Sequence, residues 1–254
     1  TLSLHDGSSD LYIADRKGDS VTSKNYIDQF LNNKAVEKIE SSDYELAVKV
    51  YSKFPGNQAV LADLLTKAIA SETQKATKLK YYKLGADMYE KAAMYADALK
   101  WYADYSALRG VKDEVYFYKT ASLAINAKDG ATAAATAKEY IAAFPDKPNG
   151  YNFNNKAAKI LDSTHALGLQ FEAAKLQNEF FSKDPSKYKQ GFISNYYTMM
   201  GYYNENKDFE NAIAMCDKVL EIIPGEPQTV QIKEGLMKNW EIYKKMKAKE
   251  PAKN

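Results

Sequence analysis

YYTMMGYYNENKDFENAIAMCDKVLEIIPGEP, Tyr196 to Pro227, decides how the rest of the chain is read. A small residue, Ala212, is followed by an apolar one, Val219, and then by Pro224, all within and at the end of an amphipathic run. The same order recurs in DYELAVKVYSKFP (Asp43–Pro55), YADALKWYADY (Tyr95–Tyr105), ATAAATAKEYIAAFP (Ala131–Pro145) and FEAAKLQNEFFSKDP (Phe171–Pro185), the second of these without its proline. Self-similarity at a spacing of this size marks an array of supersecondary units, each sheltering the apolar flank of its neighbour.

Aligned on the small residue, the copies place Ala47, Ala98, Ala134, Ala174 and Ala212 at steps of 51, 36, 40 and 38 residues. Three of these steps suit a helical hairpin, whose two helices approach closely where the small residue stands. Seven residues on, along the same face, stand Phe54, Tyr105, Ile141, Phe181 and Val219 to fill the gap between helices. Pro55, Pro145, Pro185 and Pro224 then stop the second helix, because proline lacks the amide and clashes with the preceding turn. The first helices are expected over Lys24–Ile39, Thr73–Lys91, Asp113–Ala127, Phe153–Leu167 and Tyr188–Glu205. Ser42-Asp43-Tyr44-Glu45 and Ser71-Glu72-Thr73-Gln74 have capping-box spacing and are expected to open helices. The long first step holds an inserted amphipathic helix, Gln58–Ala70. A more polar capping helix is expected over Gln228–Lys247, with a frayed tail over residues 248–254. The array thus occupies residues 24–247. The front, residues 1–23, is rich in serine and glycine and alternates at Leu11-Tyr12-Ile13-Ala14, with Ser20-Val21-Thr22 as a return strand, so a short β-ribbon or irregular appendage is expected there.

Composition removes several function classes. The 254 residues are 45% hydrophobic and 27% charged with a net charge of +2, not the strongly basic balance of a nucleic-acid binder. No apolar run reaches the length of a membrane span, and the opening residues show no leader-like segment. A lone Cys216 allows neither an intrachain disulfide nor a thiolate metal cluster. Gly-x-Gly-x-x-Gly, Gly-Lys-Ser/Thr and His-Glu-x-x-His are all absent, and carboxylates alternate with lysines as on solvated helix faces. His165 is expected to pack on an apolar helix face with Ile160, Leu161 and Leu169 rather than act as a base. His5 beside Asp6 and Asp10 lacks metal-site spacing, and Cys216 sits in a core slot. No catalytic residue, metal or cofactor is expected. The twenty tyrosines remain. Tyr82, Tyr89, Tyr102, Tyr105, Tyr118 and Tyr203 read as seam fillers, while Tyr116, Tyr197 and Tyr202 divide evenly between packing and interface.

These copies resemble the tetratricopeptide repeat. In the Tyr196–Pro227 copy, Tyr196, Met199, Met200 and Tyr203 stand in the family's Trp, Leu, Gly and Tyr slots, and Ala212, Cys216 and Pro224 in its Ala, Phe and Pro slots. Tyr82, Tyr89, Ala98, Tyr102 and Tyr105 match in the second copy; the others are looser and their steps exceed the usual repeat length. The resemblance implies an all-α, right-handed α-α superhelix whose first helices line a concave face. It implies groove candidates Lys83 and Asp87; Tyr116, Lys119 and Asn126; Lys156 and Lys159; and Tyr197 and Asn204, with Ser163 and Ser194 in the last two layers. Lys119, Lys156 and Lys159 favour an acidic peptide by about 1 kcal/mol or less per exposed pair, and equally suit any wet helix face. The family's Lys-x-x-x-Asn carboxylate clamp is absent, because Lys83 is followed by Asp87, Lys119 by Leu123 and Lys159 by Ser163. A second, shorter likeness runs over Asp10–Asn33, which resembles the last hairpin and helix of a thioredoxin-like domain without its Cys-x-x-Cys motif. The expected function is a non-enzymatic scaffold that holds a protein or peptide, with no nucleic acid and no membrane span. A spacer that positions an upstream thioredoxin-like domain is the alternative.

Overall fold

A computed structural model describes residues 19–32, 39–54 and 56–248, and among these there are twelve α-helices and no strand. Two compact units divide the chain, Thr1–Tyr116 and Phe117–Asn254.

In the first unit, α1 (Ser20–Leu31), α2 (Ser41–Tyr51), α3 (Gln58–Ser71), α4 (Lys75–Lys91) and α5 (Tyr95–Arg109) each pack on the next. Asp19 opens α1 by accepting the Thr22 amide at 3.0 Å, so Ser20-Val21-Thr22 is a helical turn and not a return strand. The rest of the expected ribbon, most of the front half of the thioredoxin-like likeness, residues 33–38 and Pro55 lie outside the described residues. α2 is opened by Glu40, whose amide donates to Asp43 Oδ2 at 3.0 Å, two residues before the expected box. Ser71 closes α3 rather than opening α4; Glu72 instead accepts the amides of Thr73 and Gln74 at 2.7 and 2.9 Å. Those bonds, with the Ser41 hydroxyl, hold its carboxyl below the usual range.

The core of this unit gathers Ile27, Ala47, Val50, Leu64, Leu65, Ala68 and Tyr81. Ala98 is fully buried where α4 and α5 cross. Gly85 faces the Trp101 ring so closely that a Cβ would stand 2.3 Å from it, which sets how near the two helices approach. Tyr81, 1% exposed, donates its hydroxyl to Glu45 Oε2 at 3.0 Å. Burial first, and then the Glu45 carboxylate, pushes its pKa from 10.0 up to about 12. The folded phenol therefore holds its proton to higher pH than the unfolded one. Its stabilisation is complete below pH 10 and is lost as pH rises towards 12. Tyr81→Phe is expected to flatten the fall in stability over that window, read by denaturant titrations followed by circular dichroism at successive pH values. An unchanged slope would show that Tyr81 does not carry the effect.

The second unit takes in most of α6 (Glu114–Asn126), then α7 (Gly130–Ala143), α8 (Pro148–Leu161), α9 (Leu169–Phe181), α10 (Lys189–Glu205), α11 (Phe209–Ile222) and α12 (Pro227–Lys247). From α7 onwards each helix packs on the next. Asp129, Asp208 and Glu226 cap α7, α11 and α12 by accepting first-turn amides. α7, α9 and α11 stop just before Pro145, Pro185 and Pro224. Ala174 and Ala212 are buried as expected, but Ala134 is not at the crossing. α7 is turned by one residue, so that Ala133, Ala137 and Tyr140, all 0% exposed, face the core and Ile141 is only half-buried. Phe54 and Tyr105, in the same slot of earlier copies, are also half-buried, with Tyr102 buried in place of Tyr105. Tyr140 is the reason for the turn, since it stacks on Phe117 at 5.5 Å and meets Phe144 edge-on at 5.8 Å.

One turn geometry recurs in both units. Met94, Asp129 and Asp208 each donate their amide to the carbonyl five residues back at 2.9 Å, and the preceding Ala93, Lys128 and Lys207 sit at φ +57°, +61° and +61°. This is the Schellman closure, made here without the glycine it usually takes. The turn between α8 and α9 differs. α8 runs over Pro148–Leu161, five residues ahead of the expected Phe153–Leu167, because Pro148 starts it and Asp162 ends it. His165 therefore lies in a turn at φ +60° and not on a helix face, and its Nδ1 is buried without a partner. Cys216 occupies the core slot, fully buried beside Met200, and burial pushes its thiol pKa up. Of the tyrosines, Tyr118 is 50% exposed rather than packed inward.

Candidate functional site: an amide-floored groove

Three helix stripes in the second unit converge on one groove of about 290 Å³. α8 contributes Asn152, Asn155, Lys156 and Lys159; α9 contributes Gln170, Ala174, Gln177 and Phe181; α10 contributes Gly191, Ser194, Asn195 and Thr198. Each set follows the three- and four-residue spacing of a single helix face. α9 forms the floor, with Gln170 and Gln177 buried, and α8 and α10 form the walls. Gly191 permits this approach, since a Cβ there would stand 2.3 Å from the Phe181 ring.

Gln177 is the hub of the floor. Its Oε1 accepts from Asn155 Nδ2 and from Asn195 Nδ2 (3.1 Å), and its Nε2 donates to Asn152 Oδ1 at 2.7 Å. Asn195 Nδ2 also reaches Asn178 Oδ1 at 2.9 Å, and Gln170 Nε2 donates to the Asp162 carbonyl at 2.5 Å. These bonds fix the amides in place. Among the described residues, Asn152 Nδ2, Asn155 Oδ1 and Asn195 Oδ1 keep hydrogen-bonding capacity free of protein partners. The floor thus presents both a donor and acceptors, the two groups that a peptide bond requires. Lys156 and Lys159 stand exposed on the rim, neither in an ion pair among the described residues, and no acidic side chain lines the groove.

The other residues singled out by the sequence lie elsewhere. Lys83 and Asp87 form an exposed ion pair at 2.5 Å on α4, in the first unit. Tyr116 and Lys119 are half-buried on α6, with the Lys112 ammonium 5.6 Å from the Tyr116 ring centre, and Asn126 is exposed at that helix's end. Tyr197 shares a hydrogen bond of 2.5 Å with Thr229 Oγ1, beside the Glu226 cap, and so docks α12 rather than facing a ligand. Bonds from Thr229 first, and from Gln228 and Tyr197, hold the Glu226 carboxyl below its usual range. Asn204 is exposed in the last turn of α10, outside the groove, and Ser163 is exposed in the turn after α8. Lys156, Lys159 and Ser194 are the expected residues that the fold does bring together. The amides fall outside the expected groove because α8 starts five residues early and because Gln170 and Gln177 belong to a second helix. The run NFNN over 152–155 and the seven-residue spacing of the two glutamines were the available signals.

No family model matches the sequence, and no curated protein matches it either. In structure the chain is similar to the C-terminal part of a TPR repeat-containing protein from Cytophaga hutchinsonii, at 18% identity and a TM-score of 0.53, over 87% of this chain and 84% of that one. It is also similar to YrrB, a TPR protein with an unusual peptide-binding site (15% identity, TM-score 0.45, 76% and 92% covered). A tetratricopeptide repeat protein from Parabacteroides merdae gives 12% identity and a TM-score of 0.39, with 89% and 96% covered. At that identity the first likeness assigns the fold and nothing further. Among the described residues no helix is long and apolar enough to cross a membrane. The described residues are all-α, and they share with the Cytophaga hutchinsonii structure the fold of consecutive helical hairpins found in tetratricopeptide-repeat proteins.

Proposed function

We propose that this chain is a protein-interaction scaffold that holds an extended, acidic peptide in the groove between α8 and α10. The observation that carries this reading is the pairing of an anchored amide floor with two exposed lysines that form no ion pair among the described residues, and with no acid. An extended peptide leaves its backbone amide and carbonyl groups unsatisfied, and the Asn152, Asn155 and Asn195 amides offer partners for both. Acidic side chains then face Lys156 and Lys159. The Gln177 hub keeps the floor preorganised, so little side-chain ordering is left for binding to supply.

Fluorescence anisotropy with a labelled Asp/Pro-rich peptide, and a Lys/Pro-rich peptide as control, tests this. The acidic peptide is expected to bind and to weaken with added salt. Lys156→Ala with Lys159→Ala is expected to weaken it about 5- to 10-fold, at up to ~1 kcal/mol for each exposed charge. Lys83→Ala, which only breaks the pair on α4, is expected to leave binding unchanged. Equal affinity for both peptides, or indifference to the double substitution, rules the reading out.

A further inference from the structure

We propose that the outer face of α9 docks the terminal helix α12 of a second copy of this chain. On the side of α8 and α9 away from the amide groove, Ala134, Ala158, Leu161, Leu169, Ala173 and Leu176 form the apolar part of an open hollow of about 380 Å³, which also takes in Asn154 and the charged residues of α9. Leu161, Leu169 and Leu176 are 42%, 38% and 37% exposed. α12 carries an equally uncovered apolar pair one turn apart, Ile242 and Met246, at 57% and 63% exposure. Flexible methionine side chains fill an irregular hollow of this kind readily.

Charge selects the partner. α9 bears Glu172, Lys175 and Glu179 beside its leucines, and α12 bears Lys238, Glu241 and Lys245 beside its Met and Ile. Both triplets have spacings of three and then four residues, with opposite signs at every position. Laid antiparallel, the seven-residue spans, each about 10 Å, set Glu172 against Lys245, Lys175 against Glu241 and Glu179 against Lys238 within a residue of register. Among the described residues Glu172, Lys175, Glu179, Lys238 and Lys245 make no ion pair within the chain. Glu241 meets Lys244 at 2.7 Å, an exposed pair that an incoming lysine displaces at little cost. The α12 stretch from Met237 to Lys247 holds four lysines and one glutamate, so it repels a second α12 and favours α9. Two such contacts, α9 on α12 and α12 on α9, close a two-fold dimer.

Sedimentation equilibrium over a range of concentrations tests this. The chain is expected to pass from monomer to dimer as concentration rises. Glu172→Lys with Glu179→Lys is expected to weaken the dimer at least roughly tenfold, as is Lys238→Glu with Lys245→Glu. The four substitutions together are expected to restore it, because the signs are then exchanged and matched again. All four positions are exposed, and a circular-dichroism spectrum like that of the wild type confirms that the variants fold. A chain that stays monomeric throughout, a dimer indifferent to either pair of reversals, or a quadruple variant that stays dissociated overturns the proposal. None of the four residues lines the amide groove, so acidic-peptide binding is expected to be unchanged in every variant.

Discussion

Tyr140→Ala is expected to remove about 3–5 kcal/mol from the stability of the Phe117–Asn254 unit, the range for truncating a buried aromatic. The side chain is 0% exposed and sits at the meeting of three rings: Phe117 stacked at 5.5 Å, Phe144 edge-on at 5.8 Å and Phe153 at 6.5 Å. Those rings come from α6, α8 and the end of α7, so no single neighbour can move in to fill the space. A typical domain holds only about 5–15 kcal/mol in total, so the loss is a large share of it. A urea titration should show the midpoint of this unit's transition moving down with its slope unchanged. Tyr118→Ala provides the contrast. Tyr118 also meets Phe153, at 5.4 Å, but is 50% exposed, and its loss is expected to cost under about 1 kcal/mol. Equal costs for the two tyrosines would show that the ring cluster does not organise this unit.

Asp162→Ala is expected to cost about 2–4 kcal/mol. Asp162 is 2% exposed, and its two carboxylate oxygens accept the amides of Leu167 and Leu169 at 3.1 and 2.9 Å. Removing the side chain strands both donors in a turn that lacks the Schellman closure. That turn also holds His165 at φ +60°, a strained backbone for a non-glycine residue that the carboxylate bonds help to offset. Asp162→Asn keeps one acceptor oxygen and is expected to lose about half as much. Because the Asp162 carbonyl also holds Gln170, which lines the groove, the Ala variant should weaken acidic-peptide binding beyond its effect on stability. Thermal unfolding and the anisotropy titration read the two effects separately. A melting temperature within a degree or so of the wild type would sink this account of the turn.

Much of the fold could be read directly from the chain because its signals are local. Small residues at Ala47, Ala98, Ala174 and Ala212 mark tight crossings, and all four are buried. Pro145, Pro185 and Pro224 stop helices by a steric rule that needs no tertiary context. The capping helix, expected over Gln228–Lys247, spans Pro227–Lys247. Where two local rules competed, reading by residue type failed. Asp43 suits both a cap and a first-turn acceptor, and it serves Glu40 in the second role. Ala133 and Ala134 are equally small, and only the ring of Tyr140, seven residues beyond Ala133, decides which one faces the core.

The sequence by itself determined the helical hairpins of the described residues, since helix periodicity, small-residue spacing and proline stops act within one or two turns of the backbone. Only the tertiary structure decided the site. Asn155 and Gln177 lie 22 residues apart, Asn152 and Gln177 lie 25 apart, and Gln177 and Asn195 lie 18 apart. Three helices must pack before these amides share a hydrogen bond. A buried amide takes its meaning from the partner it finds across that packing, and spacing along the chain does not encode which partner that is.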